Sequence, residues 1–381
     1  MTIRREGSKM QFIDLKKQYN EIKEDVNRRI DNVLEHQHFI MGSEIEEMEQ
    51  RLAKFTGRKY AFSCASGTDA LIIPLMAMEL NKTDAVFVPS FTFFASGESV
   101  ALIGATPVFV DCDETYNIDP VKLRQSIEHV IEEGKLTPKG IIPVDLFGLA
   151  ANYDEILSIA KEYDLFVLED AAQGFGGEYK GKKAGSFGDV SATSFFPAKP
   201  LGCYGDGGAI FTDNDELAQK IHSIRVHGQG TSRYDNVRIG LNGRMDTLQA
   251  AVILSKLEVF ENEIVKRQIV AKQYFQKLEG YYKLPIIPDN CLSAWAQFTL
   301  QAKDEEHREY IINKMKEYEV PIMVYYILPL HMQTAFKYLK YDDKALPVCK
   351  EYSKKVFSIP MHPYLTEDDI SFICEKLKLC I

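Results

Sequence analysis

Short apolar segments alternate with helical segments between residues 60 and 170, and this alternation constrains the fold more than any other feature. The apolar segments are Tyr60-Ala-Phe-Ser63, Ala85-Val-Phe-Val88, Val108-Phe-Val110, Gly140-Ile-Ile-Pro-Val144 and Phe166-Val-Leu168. Helical patterns lie between them, among them residues 69–80 and 152–163. Apolar strands that alternate with helices are typical of a mostly parallel sheet covered by helices on both faces. The sequence therefore predicts an α/β fold.

The segments before this alternation predict two helices. Residues 12–35 form an amphipathic pattern, because their apolar side chains recur at helical spacing. Ser43-Glu-Ile-Glu46 is typical of a capping box at the start of a second helix. We assign residues 1–35 to an N-terminal extension and helix.

The last third of the chain predicts a smaller unit. Residues 245–278 form a long helical stretch, with Asp246 as its expected cap. Two strand patterns and two helical patterns follow, at residues 298–301 and 322–325 and at residues 305–319 and 366–379. We therefore predict a large α/β domain at 36–255, then a linking helix and a small α+β domain at 256–381.

Charge and cysteine content exclude several classes of protein. The net charge is −10, whereas a nucleic-acid-binding face is usually basic. The seven cysteines are widely spaced and form no C-x-x-C pair, which predicts reduced thiols and no metal site. No apolar run approaches the ~18 residues of a spanning helix, and residues 1–9 lack the apolar core of a secretory signal. We expect a cytoplasmic protein without a nucleic-acid or membrane partner.

An acid and a lysine indicate the chemistry. Asp170 follows the apolar segment Phe166-Val-Leu168, at the end of a strand where ligands of open α/β sheets bind. Lys199 lies between prolines in a later loop, where a lysine taken alone would be solvent-exposed. Together they match a pyridoxal phosphate site, in which an acid keeps the pyridine nitrogen protonated and a lysine amine holds the aldehyde covalently.

A second candidate site lies at Cys64-Ala-Ser-Gly-Thr-Asp-Ala70. This segment follows a predicted strand and opens a helix, so free amides at the helix start would face an anion. A plain turn from strand to helix is the other interpretation of the same pattern.

Three segments resemble a known family: Glu169-Asp-Ala-Ala-Gln173, Ser194-Phe-Phe-Pro-Ala-Lys199 and Gly205-Asp-Gly-Gly208. They are similar to the DegT/DnrJ/EryC1/StrS family of pyridoxal phosphate-dependent nucleotide-sugar aminotransferases. The resemblance runs from about Phe12 to about Leu365 and looks closest to the WbpE-like branch. It implies the fold-type-I architecture, with a mostly parallel seven-stranded-type sheet and a smaller C-terminal α+β domain.

The resemblance also implies an activity. The family moves an amino group from L-glutamate to a nucleotide-linked keto sugar and releases 2-oxoglutarate. The branch implies C3 of a UDP- or dTDP-3-keto sugar, in amino-sugar and surface-polysaccharide biosynthesis such as that of O-antigen. Related sugar dehydratases carry histidine in place of the lysine, so Lys199 favours amination.

The roles of individual residues follow from the resemblance. Lys199 and Asp170 are the implied catalytic residues. The implied cofactor contacts are Gly67, Thr68 and Ser194 at the phosphate, Phe93 on the ring face, Gln173 at the ring hydroxyl, and Asp170, Lys199 and Asn242. Asn242 would reach the cofactor of a neighbouring subunit, which implies a homodimer with shared active sites. The implied substrate contacts are Arg244, His227, Tyr325, Tyr326 and His331, with Tyr325 standing where the family often has histidine.

Three alternatives remain at this point. The first is a C4 aminotransferase acting on a nucleotide 4-keto-6-deoxy sugar. The second is a non-catalytic regulator that binds pyridoxal phosphate. The third is a small-molecule aminotransferase or lyase of the same fold that does not recognise nucleotides.

Overall fold

The computed structural model describes residues 10–232, 234–342 and 344–381, so the extension predicted at residues 1–9 lies outside the described part. The α-helices are α1 Leu15–His36, α2 Ser43–Thr56, α3 Gly67–Ala77, α4 Phe94–Leu102, α5 Pro120–Glu133, α6 Tyr153–Glu162, α7 Asp215–Arg225, α8 Thr247–Leu278, α9 Glu305–Glu317, α10 Pro347–Lys355 and α11 Glu367–Lys378. The strands are β1 Tyr60–Cys64, β2 Asp84–Pro89, β3 Thr106–Val110, β4 Thr137–Ile141, β5 Phe166–Asp170, β6 Glu178–Tyr179, β7 Lys182–Lys183, β8 Val190–Ser194, β9 Gly208–Thr212, β10 Cys291–Leu292, β11 Phe298–Gln301 and β12 Val356–Ile359.

Within the described residues, seven strands form the central sheet in the order β1-β9-β8-β5-β4-β2-β3. Strand β9 runs antiparallel to both of its neighbours, and the other pairs are parallel. The predicted mostly parallel α/β fold is therefore confirmed. The carboxyl ends of the parallel strands meet at one edge, which is where such sheets bind ligands.

Helices cover both faces of the sheet because its central strands carry apolar side chains on both faces. In β2 the side chains of Val86 and Val88 belong to the cluster that contains α3, α4 and α7 residues. Ala85 and Phe87 belong to the opposite cluster, with residues of α5 and α6. Successive strand residues point to opposite faces, so an unbroken apolar run supplies both layers of the core.

A separate apolar cluster lies in the C-terminal part of the chain. It joins Val270 and Tyr274 of α8 to the paired strands β11 and β12 and to α11. The first half of α8 packs on α1 and α2 instead. We propose that the small domain begins within α8, near residue 256.

Two local predictions are wrong. Gly42 is the N-cap of α2, and Ser43 is already inside the helix, where its hydroxyl donates to Glu44 Oε2 at 3.2 Å instead of capping. Residues 322–325 form no strand, because only Met323 pairs with Ser358 of β12 before the chain turns away.

Asp246 is the N-cap residue of α8 by position, but its side chain makes no capping hydrogen bond. Among the described residues, no helix combines the length and the apolar character needed to cross a membrane.

Candidate active site

Strand β5 ends at Asp170, whose side chain is 6% exposed. Its Oδ2 accepts a hydrogen bond from Ser96 Oγ at 2.8 Å, and its Oδ1 accepts one from the Ala172 amide at 3.2 Å. Burial raises the pKa of Asp170, whereas these hydrogen bonds and the charge of Lys199 lower it. The surroundings thus provide the partners that an ionised carboxylate requires.

Lys199 lies in the loop between β8 and β9. The loop is closed by hydrogen bonds from the Phe195 amide to Gly207 O and from the Lys199 amide to Phe196 O, both at 2.8 Å. Burial lowers the pKa of Lys199, and the Asp170 carboxylate opposes this shift. The amine therefore loses its proton more readily than an exposed lysine does, which suits a nucleophile and a base.

The start of α3 and the end of β8 lie against each other. A Cβ placed on Gly67 would be 2.5 Å from Ser194 Cβ and 2.7 Å from its Oγ, so only glycine fits there. Ser66 caps the helix by accepting from the Asp69 amide at 3.0 Å. The amides of Gly67 and Thr68 precede the first intrahelical hydrogen bond, as in other anion sites at helix starts. Together with the Ser194 hydroxyl they form a corner of hydrogen-bond donors that suits an anion.

Gln173 is buried, and its side-chain amide has a fixed orientation. Its Oε1 accepts from the Phe147 amide at 2.9 Å, so Nε2 is left to donate to the Tyr326 hydroxyl at 3.1 Å. The ring of Tyr326 lies 6.2 Å from that of Phe93, and Phe93 is 55% exposed. An exposed ring beside buried polar groups leaves a flat apolar face open to a ligand.

The remaining predicted substrate residues fall into two places. Tyr325 lies 6.3 Å from the ring of Phe12, and His331 is buried with its Nδ1 2.7 Å from Ser90 Oγ. Burial lowers the pKa of His331. Neither residue is hydrogen-bonded to Asp170 or Lys199 among the described contacts, so their roles stay predictions.

Asn242, Arg244 and His227 lie together in the segment before α8. Asn242 Oδ1 accepts from Arg244 Nε at 3.1 Å and from Nη2 at 2.7 Å. The His227 amide donates to Leu241 O at 2.8 Å. Asn242 is exposed, and within the described part of the chain its side chain bonds to Arg244 and not to the groups around Asp170.

Sequence reasoning missed Ser96, which bonds directly to Asp170. The sequence feature that could have indicated this residue is its position in the first turn of α4, three residues after Phe93. It also missed that the Phe147 amide orients Gln173. Both contacts join segments far apart in the chain, and no local pattern marks such pairs.

One group of described residues has possible metal ligands within 4.8 Å of one another, namely Asp111, Cys112 and Cys349. The carboxylate of Asp111 accepts backbone amides from Cys112, Val348 and Cys349 at 2.7 to 3.1 Å. Burial raises the pKa of both thiols, which disfavours the thiolate that a metal needs. These features fit a packing contact between β3 and α10.

The site residues fit pyridoxal phosphate. The Asp170 carboxylate could pair with a protonated ring nitrogen, and the Lys199 amine could react with an aldehyde. The corner at Gly67 and Ser194, where a side chain on residue 67 would collide, suits a phosphate.

A lysine and a buried acid at the carboxyl edge of a mostly parallel sheet define the class of pyridoxal phosphate enzymes. Residues 20–378 match the model of the DegT/DnrJ/EryC1/StrS aminotransferase family. The chain belongs to this family, is an aminotransferase, and uses pyridoxal phosphate.

Three known proteins are similar over almost the whole chain. The UDP-2-acetamido-2-deoxy-3-oxo-D-glucuronate aminotransferase of Pseudomonas aeruginosa is 48% identical over 97% of this chain and 99% of its own length. A crystal structure of a family member from Brucella abortus has a TM-score of 0.94 and 46% identity, covering 97% of this chain and 98% of that one. The structure of NtdA from Bacillus subtilis with the bound cofactor PMP has a TM-score of 0.88 and 31% identity. The match covers 99% of this chain and 86% of that one.

Proposed function

We propose that this aminotransferase moves the amino group of L-glutamate to C3 of a nucleotide-linked 3-keto sugar, with UDP as the favoured nucleotide, for the biosynthesis of a surface polysaccharide. The observation that carries the proposal is the 48% identity, over 97% of the chain, to an aminotransferase named for a UDP-3-oxo sugar. Lys199 supports amination, because it provides an amine at the site where transfer must occur.

The side chains divide the chemistry between them. Pyridoxal phosphate, when bound, supplies the electron sink and carries the amino group between the two substrates. Lys199 Nζ takes the proton from the α-carbon of the amino donor, and it returns a proton to C3 of the sugar in the second half of the reaction. Asp170 holds a proton at the ring nitrogen, which keeps the electron sink effective.

The other proposed contacts bind and orient. Gly67, Thr68 and Ser194 hold the phosphate in the corner described above. The exposed ring of Phe93 would pack on the cofactor ring, and the fixed amide of Gln173 would donate to the hydroxyl of that ring. We retain Arg244, His227, Tyr325, Tyr326 and His331 as proposed contacts to the sugar nucleotide.

The decisive experiment incubates the purified enzyme with glutamate and a set of UDP- and dTDP-linked 3-keto and 4-keto-6-deoxy sugars. We expect 2-oxoglutarate to form with the 3-keto sugars, and NMR should locate the new amine at C3. An amine at C4 would establish the C4 alternative instead. Failure of every nucleotide sugar would contradict the proposal and favour a regulator or a small-molecule enzyme.

We also propose that the enzyme is a homodimer with shared active sites. Phe39, Ile40 and Met41 form an exposed apolar run that lies beside the segment leading into α8. The Thr247 amide donates to Phe39 O at 2.9 Å, which places this run next to the exposed Asn242. Consecutive exposed apolar residues favour contact with another chain, and a two-fold interface would present Asn242 to the partner's site.

Mixing two inactive variants tests the shared site. Lys199→Ala and Asn242→Ala should each be almost inactive alone, because every site then lacks one of the two groups. Co-refolded heterodimers should regain activity, since one site per dimer combines an intact Lys199 with an intact Asn242 from the partner chain. Mixtures no more active than their components would show that Asn242 does not act in trans.

A further inference from the structure

Asp145 is a fully buried acid on the segment that follows β4. Its Oδ1 accepts two hydrogen bonds, from the Ala151 amide at 3.1 Å and from the Tyr153 hydroxyl at 2.8 Å. Its Oδ2 is buried and receives no hydrogen bond from the residues that the structure describes. A Cβ on Gly174 would lie 2.5 Å from this oxygen, so residue 174 cannot supply a side chain as its donor. An unpaired buried carboxylate oxygen is costly.

Glu169 is the second fully buried acid in this region, and its hydrogen bonds differ in kind. Its Oε1 accepts from the Gly185 amide and its Oε2 from the Phe187 amide, both at 2.7 Å. Each oxygen already accepts from an N–H group, and a proton on either oxygen would point at that donor. Glu169 is therefore arranged as the ionised member of any acid pair.

We propose that Asp145 is protonated on Oδ2 and donates this proton to Glu169, and that the shared proton positions the turn that orients Gln173. The two carboxyls then hold one negative charge instead of two, and Asp145 Oδ2 gains a hydrogen-bond partner. Asp145 is thus a positioning residue that does not touch the reacting atoms.

The link to the active site runs through residues 146–148. Asp145 fixes both sides of this turn, because its own amide donates to Asp170 O at 3.1 Å and its side chain holds the Ala151 amide. Between these points the Phe147 amide donates to Gln173 Oε1. Asn117 also accepts from the Leu146 amide at 2.9 Å, so loss of the Asp145 side chain would loosen the turn without freeing it, and the orientation of the Gln173 amide would be less fixed.

The charges around the pair agree with this assignment. Burial and then the charge of Glu169 raise the pKa of Asp145 well above its ordinary value. Burial also raises the pKa of Glu169, whereas the two backbone amides and the Ser191 hydroxyl lower it. Tyr153, Cys291 and Asp170 are the other titratable groups near the pair, and Lys199 faces Asp170.

The stability consequence has a definite sign. A carboxyl whose pKa is raised on folding binds its proton more tightly in the folded state. The proton stabilises the fold fully below the ordinary aspartate value, and this contribution is lost as pH rises toward the raised value. A side chain at position 145 that donates the same hydrogen bond without titrating would keep its contribution to stability as the pH rises.

Two isosteric substitutions decide which acid carries the proton. Asp145→Asn places an amide N–H where the proton lies, so we expect a higher melting temperature at neutral pH and a gain that shrinks as pH falls toward the aspartate range. Glu169→Gln removes the carboxylate that carries the charge of the pair and turns an NH₂ toward the amide of Gly185 or Phe187, so it should lower the melting temperature at every pH by roughly 4 °C. A lower melting temperature for Asp145→Asn together with a higher one for Glu169→Gln would overturn the proposal. A gain in melting temperature for Asp145→Asn that is independent of pH would overturn it as well.

A matched control and a rescue complete the test. Asp84 is another buried aspartate, and its carboxylate accepts from the Asn81 amide and side chain at 2.8 and 2.7 Å, so Asp84→Asn should give no pH-dependent gain in melting temperature.

Asp145→Ala should raise the dissociation constant of pyridoxal phosphate and lower kcat, and Asp145→Asn should rescue both. The kcat readout rests on the proposed function, whereas melting and cofactor binding do not. Equal effects of Ala and Asn would contradict a positioning role.

Discussion

Replacing Lys199 with alanine should abolish turnover. We expect Lys199→Ala to lower kcat by at least about 10⁴-fold, because one amine supplies both the covalent attachment and the base. The change removes no hydrogen bond that closes the β8–β9 loop, since that loop is held by backbone groups. The melting temperature of the protein without cofactor should therefore stay near that of the wild type.

The measurement combines single-turnover kinetics with chemical trapping. Borohydride reduction of the wild-type enzyme followed by peptide mapping should place the cofactor label on Lys199. Lys256 provides a stringent control, because it is also buried and burial lowers its pKa to about 8. A reactive amine alone would thus make Lys256 a competitor, whereas Lys199 is the lysine of the described residues whose charge acts on Asp170. A label on Lys256, or none, would refute the assignment.

The second large effect is expected at Asp170. Asp170→Asn keeps the size of the side chain and can still accept from Ser96, but it cannot hold a proton on the ring nitrogen by charge. We expect kcat to fall by about 10²- to 10³-fold, in the range seen when one preorganised electrostatic group is removed. Cofactor should remain bound, because the phosphate corner and Lys199 are untouched.

The experiment measures cofactor occupancy and kcat for the same preparations. Asp84→Asn serves as a buried-aspartate control that lies outside the site residues. Full activity of Asp170→Asn would show that the carboxylate does not sustain the electron sink. Loss of cofactor with no change in kcat per bound cofactor would assign Asp170 to binding alone.

The parallel sheet and the acid–lysine pair were predictable because each has a local signal. Uninterrupted apolar runs marked the strands, and the strand before Asp170 fixed its place at the ligand-binding edge. The start of α3 was predictable for the same reason, since small residues follow a strand and open a helix.

The contacts that complete the site were not predictable, because they depend on segments that meet only in the folded chain. Ser96 reaches Asp170 from α4, and Asp145 lies beside Glu169 although each sits in an ordinary local pattern. The strand expected at residues 322–325 failed for a related reason. Its apolar residues matched a strand, but Met323 alone finds a backbone partner in β12.

Asp170 ends strand β5 and Lys199 lies in the loop that follows the neighbouring strand β8, whereas Tyr325 and Tyr326 belong to an irregular stretch outside the central sheet. The reactive groups and the proposed recognition residues thus belong to different elements, which meet where Gln173 donates to the Tyr326 hydroxyl. A change of residue in that stretch would therefore alter the proposed acceptor contacts without moving the strand that carries Asp170.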